Sequence, residues 1–272
     1  MAITQTAYAK INLALHLQRR RDDGYQELET LFAFVDTGDT LTADRSEHDS
    51  VETFGEFAGG IDSPFDNLVA KALNVLPRPD GLSVSLEKNL PVAAGLGGGS
   101  ADAGAVFRMV RERYGLPDDW QERAAGLGAD VPACVDSVTC IGRGTGTELT
   151  PLNNDLAGAP VLLVNPRVQI FTKQVFIEWR GIGRGRLQGG TAREIMMANG
   201  NDLQTIVTDD LQIIEVVLAL NSLSDTDPVI HRMSGSGATC FALYTDNAAR
   251  DVALQEINTR HPDWWTMAGN LR

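Results

Sequence analysis

Apolar and polar positions alternate through Ile11-Asn12-Leu13-Ala14-Leu15-His16-Leu17, so residues 3–17 read as a strand with one apolar face. Residues 28–35 are short, apolar and partly aromatic, and 40–43 continue in that style as a separate segment. From 44 to 66 the chain becomes acidic (Asp44, Glu47, Asp49, Glu52, Glu56, Asp62, Asp66, against Arg45 alone) and reads as a solvated hairpin or loop. Helical spacing returns at 67–75 through Leu68, Val69, Ala72 and Leu73, and ends at Leu76-Pro77. An alternating strand at 82–86 leads into a glycine-rich run. An amphipathic helix follows, with Val106, Phe107, Val110 and Tyr114 inward and Arg108, Arg111 and Arg113 outward, stopped by Gly115 and Pro117. A helix at 118–126 and strands around Cys140 and Leu149 complete this half, and 151–159 reads as a linker.

The second half predicts a strand at 161–164, a short helix near 172–179, a glycine-rich loop at 180–190 and a long apolar helix at 206–220. Strands at 230–233 and 238–244 flank Ser234-Gly235-Ser236-Gly237, and a helix at 247–257 precedes a strand at 264–268. Strands and helices mix in both halves, which points to two α+β domains, 1–150 and 160–272, without an internal repeat.

The 272 residues, 43% hydrophobic and 22% charged, are those of an ordinary soluble domain or pair of domains, and the net charge of −13 argues against a nucleic-acid or anionic-membrane surface. An anionic ligand therefore needs a local site of backbone amides and a few placed cations. At the N-terminus, Lys10 and Asn12 break the apolar run, and Arg19–Arg20–Arg21 follow it, the reverse of a signal peptide. Cys134, Cys140 and Cys240 match no zinc spacing and read as buried thiols in a reducing compartment; with no targeting segment, the expected location is the cytoplasm. His16, His48, His231 and His261 are scattered and read as core or surface side chains.

The richest chemistry lies in Pro91, Val92, Ala93, Ala94, Gly95, Leu96, Gly97, Gly98, Gly99, Ser100 and Ala101, between a strand and a helix. Glycines let backbone approach a ligand closely, and Ser100 is the expected N-cap of a helix whose free N–H groups and dipole suit a di- or triphosphate. A dinucleotide fingerprint fails at Ser100 or Asp102, and no Lys is present for a Walker loop. Lys10 and Asp130 stand in apolar surroundings, where a charge is either structurally paired or functional. The Ser234–Gly237 turn serves equally as a hairpin turn, and Gly142–Gly146 reads as a structural turn.

Ala9-Lys10-Ile11-Asn12-Leu13, the run 91–100 and the run 234–241 resemble, in this order, the three motifs of the GHMP small-molecule kinases. Asp22-Asp23-Gly24-Tyr25 with Leu28 and Thr30-Leu31-Phe32, and Gly128-Ala129-Asp130-Val131-Pro132, are similar to the branch acting on 4-diphosphocytidyl-2-C-methyl-D-erythritol in non-mevalonate isoprenoid synthesis. The resemblance, from Ala7 to about Tyr244, implies an α+β, two-domain GHMP kinase fold with the active site in the inter-domain cleft. It implies Asp130 as catalytic base with Lys10 as its partner, residues 91–101 at the ATP phosphates, and Asn67 and Lys88 near the adenosine end. Asn12, Tyr25, Gln26 and Phe176 fall on substrate positions, the two aromatics sandwiching cytosine; Gln26 stands where the family usually has His. The implied ligands are ATP, Mg²⁺ as its chelate, and a cytidine diphosphate substrate, with no nucleic acid or membrane partner. Asp102 either ligates the ion or favours the helix dipole. Other acceptors such as homoserine or mevalonate, and a non-catalytic nucleotide binder, are the alternatives.

Overall fold

The computed structural model describes residues 2–60, 67–170, 172–179, 182–207, 211–223, 226 and 228–272. Its organising feature is a long antiparallel hairpin of β1 (Ile3–Arg20) and β2 (Gln26–Ser46). The chain continues through β3 (Ser50–Phe54), α1 (Leu68–Val75), β4 (Gly81–Glu87), α2 (Gly98–Tyr114), α3 (Trp120–Leu127), α4 (Val131–Asp136), β5 (Cys140–Gly144) and β6 (Glu148–Pro151). Then come β7 (Pro160–Asn165), α5 (Thr172–Glu178), α6 (Ala192–Ala198), α7 (Leu211–Asn221), β8 (Ile230–Met233), β9 (Cys240–Leu243), α8 (Asn247–Arg260) and β10 (Trp265–Asn270).

Two sheets result. The first runs β3-β4-β2-β5-β6, with β1 on the opposite edge of β2, and the second runs β10-β7-β9-β8. Alternation along β7 decides how they stack. Val161 and Leu163 join Ile11, Leu13, Ala33 and Val35 of the hairpin in one core, whereas Leu162 and Val164 pack with Val216, Leu220 and Ile257 of α7 and α8. On the far side of the hairpin, Phe32, Phe34 and Leu41 pack with α1, α2 and α4. The layers are thus helices, sheet, sheet, helices.

Several expectations change. Residues 28–35 and 40–43 belong to one strand, because Gly38 lets β2 lie against the Ala7 carbonyl, where a Cβ would come to 1.9 Å. The acidic stretch holds a strand, β3, parallel to β4; its Asp62 and Asp66 lie outside the described residues. The α2 helix starts at Gly98 with Gly97 as N-cap, so Ser100 sits inside the first turn. Arg108 is buried, its donors spent on carbonyls. The predicted 206–220 helix is observed as α7 from Leu211, residues 208–210 lying outside the described part. Helix α6 was not anticipated, although Thr191 and Glu194 form a capping box at its start.

Candidate active site

β1 departs from simple alternation where the chemistry lies. Its register to β2 shifts between Tyr8 and Lys10 and again between Asn12 and Ala14, bulges that turn individual side chains out of the pleat. Between the two shifts the register is continuous, so Lys10 and Asn12, two residues apart, share a face, and both line a cavity of about 610 Å³. The Lys10 ammonium lies 3.0 Å from Asp130 Oδ2 and donates to Asn12 Oδ1 at 2.9 Å. Asn12 donates in turn to Thr30 Oγ1 at 2.8 Å. Lys10 is 5% exposed and Asp130 32%, so a sunken cation holds a carboxylate that still faces the cavity. Asp130 precedes α4 without capping it, so its carboxylate is not spent on the helix N–H groups.

The glycine-rich loop forms the adjoining wall. Gly97 has φ of +60°, and a Cβ there would approach Lys10 Cε to 2.9 Å; Gly95, at φ +77°, would meet the Ser234 carbonyl at 2.3 Å. Only glycine lets this backbone lie against both Lys10 and the 234–237 turn. The Lys10 N–H donates to Leu96 O, and Ser234 Oγ to Gly95 O, so the first and third motifs clamp the second. Pro91 to Gly95 and Gly97 to Ser100 line the cavity, whereas Leu96 and Ala101 face the core.

Lys88 also lines the cavity, and its ammonium is held by two buried carboxylates, Asp39 and Asp102. Asp39 accepts the N–H groups of Asn89 and Leu90 as well, fixing the entry to the loop. Burial alone would lower the Lys88 ammonium, but Asp102 and Asp39 together raise it. Asp102 is pushed up to about 8, first by burial and then by Asp39 against the pull of Lys88, and its Oδ1 has no partner among the described residues. Asn67 caps α1 through Val69 N and lines the same cavity.

From the second half come Thr172, Phe176, Leu203, Gly235 and Ser236. Gln26 Nε2 donates to the Phe176 carbonyl at 3.2 Å, leaving its buried Oε1 unpartnered among the described residues. Tyr25 lies apart, on the turn joining β1 to β2, and is 64% exposed. Sequence reasoning missed Asp39, which looked like a turn residue in Asp36-Thr37-Gly38-Asp39, and the Thr172–Ser236 hydroxyl pair at 2.9 Å. It also missed Asn201, whose amide donates to the carbonyls of Met233 and Gly235 and so supports the third motif. Thr145 of the Gly142–Gly146 turn lines the cavity too, giving that turn a place in the site wall.

Residues 67–140 match the model of the GHMP kinase N-terminal domain. The chain is 61% identical over 272 residues to the 4-diphosphocytidyl-2-C-methyl-D-erythritol kinase of Novosphingobium aromaticivorans, covering all of this chain and 94% of that protein. It is 58% identical to the protein of that name from Erythrobacter litoralis, covering 99% and 100%. The chain belongs to the 4-diphosphocytidyl-2-C-methyl-D-erythritol kinase family. A crystal structure of 4-(cytidine 5′-diphospho)-2C-methyl-D-erythritol kinase superposes with a TM-score of 0.79 at 28% identity, covering 99% of each chain. The chain is thus a small-molecule kinase, and the glycine-rich wall described above falls within the matched residues 67–140. No helix among the described residues is long and apolar enough to cross a membrane.

Proposed function

We propose that this kinase transfers the γ-phosphoryl group of ATP to the 2-hydroxyl of 4-diphosphocytidyl-2-C-methyl-D-erythritol, in the cytoplasm and within non-mevalonate isoprenoid precursor synthesis. The observation that carries the reading is the Lys10–Asp130 pair at the cavity wall beside the glycine loop. The hydroxyl oxygen attacks the γ-phosphorus, the bond from phosphorus to the β,γ-bridging oxygen breaks, and ADP leaves. Asp130 takes the hydroxyl proton, and Lys10 beside it offsets charge on the phosphoryl oxygens. Asn12, engaged by Lys10 and Thr30, holds the ammonium in place more than it reads the substrate.

The first-turn N–H groups of α2 are suited to the α- and β-phosphates, with Asn67 toward the adenosine. Mg²⁺ enters as the chelate carried by ATP; of the cavity carboxylates, Asp102 is already held by Lys88, which favours the nucleotide as the ion's carrier. Phe176 offers a stacking face for cytosine, with Tyr25 coming onto the other side from its turn, and the free Gln26 Oε1 suits the exocyclic amine. In this reading the division into 1–150 and 160–272 has functional meaning: the first part supplies the nucleotide loop and the base, the second a wall of the acceptor site.

The test is Asp130→Asn. Removing a general base costs about 10²–10⁴-fold in rate, so kcat falls by that order while ATP affinity and melting temperature stay near wild type. A kcat within about threefold of wild type, with lost stability, would make the pair purely structural.

A further inference from the structure

Arg108 is 9% exposed, and among the described residues no carboxylate pairs with it. Burial lowers its guanidinium to about 10, still cationic at neutral pH. Its donors go elsewhere. Nη1 donates to Cys134 O at 2.7 Å, Val135 O at 3.1 Å and Ser137 Oγ at 3.2 Å, all at the C-terminal end of α4. Nη2 donates to Thr6 O of β1 at 2.6 Å, and Nε to Gln5 Oε1 at 3.1 Å. One turn earlier on the same face of α2, Gly104 lets α4 come so close that a Cβ would lie 2.3 Å from Cys134 O.

This places one rigid guanidinium across the two elements that carry the catalytic pair. Asp130 precedes the short α4 whose far end Arg108 holds, and Lys10 follows Thr6 by four residues on β1. A buried cation without an anion is costly, and carbonyl ligands at a helix C-terminus are the setting that tolerates one. We propose that Arg108 is a positioning residue that sets the Lys10–Asp130 geometry by tying α4 to β1. The proposal rests on the assignment of Asp130 as the base. Arg272 also donates to Ser137 O, so the end of α4 keeps a partner when Arg108 is replaced.

The experiment is a double-mutant cycle. Arg108→Lys and Arg108→Met are made alone and on Asp130→Asn, and kcat, KM for ATP and melting temperature are measured for each. A misplacement of about 1 Å costs up to about 10²-fold, so either variant lowers kcat about tenfold or more with KM for ATP within about twofold. On Asp130→Asn the same substitution adds less than about twofold, because its effect passes through the carboxylate already removed. Equal losses on both backgrounds, an unchanged kcat, or loss of the fold in both variants would each overturn the proposal. Failure of the underlying assignment shows separately, as near-normal kcat in Asp130→Asn alone.

Discussion

Asp102 shares the Lys88 ammonium with Asp39, and one cation cannot balance two buried carboxylates if both are ionised. Burial, the largest cause, lifts Asp102 to about 8. The sign follows from linkage. Between the ordinary carboxylate range and about pH 8 the unfolded chain has lost this proton and the folded chain keeps it, so this residue's contribution to stability falls as pH rises through that window. Asp102→Asn removes the dependence. Its melting temperature should fall less steeply from pH 5 to pH 8 than that of wild type and match or exceed it at pH 8. Parallel curves with a deficit of about 3–5 kcal/mol would mean an ionised, indispensable partner of Lys88. Charges in apolar settings made Lys10 and Asp130 legible in the sequence. Asp39 and Arg108 were not, since a turn-like Asp and an arginine on an amphipathic helix carry no sign that backbone groups will claim them.

Among the elements, the loop from β4 to α2 shows most directly how backbone conformation serves chemistry. Gly97 combines a left-handed φ with contact to Lys10, so Gly97→Ala adds both strain and a clash 2.9 Å from Lys10 Cε. Non-glycine residues in such conformations cost roughly 1–3 kcal/mol. The expected outcome is a lowered melting temperature together with a kcat loss of about tenfold or more, because the methyl crowds Lys10, the proposed partner of the base. Gly98→Ala is the control: its φ is unstrained and its Cβ would find 3.5 Å of room to Lys88 Nζ. Equal kcat in the two variants would detach the loop's conformation from the placement of Lys10. Glycine density and the following helix were readable in the sequence, whereas the helix start was not. Ser100 is the better cap by residue type, but the close approach to Lys10 and Ser234 puts the turn at Gly95–Gly97.

At the scale of the whole molecule, the β1–β2 hairpin is scaffold and, in the proposed mechanism, also the carrier of Lys10. It carries Lys10, Asn12 and Gln26, and its two faces bury against the first-half helices and the second sheet. The alternating patterns announced an α+β chain. They could not announce that one hairpin serves two cores, because its near-continuous burial erases the period on which such readings depend. With a net charge of −13, the proposed capture of the nucleotide rests on the local donors that line the cavity. The central claim is the acceptor, and it is tested by ADP release with ATP and Mg²⁺ against equal concentrations of 4-diphosphocytidyl-2-C-methyl-D-erythritol, homoserine, mevalonate and galactose. The account predicts turnover with the diphosphocytidyl substrate at least about 10²-fold above any other, with phosphorus NMR placing the new phosphate on the 2-oxygen. Comparable turnover with homoserine or mevalonate, or phosphate on another oxygen, would contradict it.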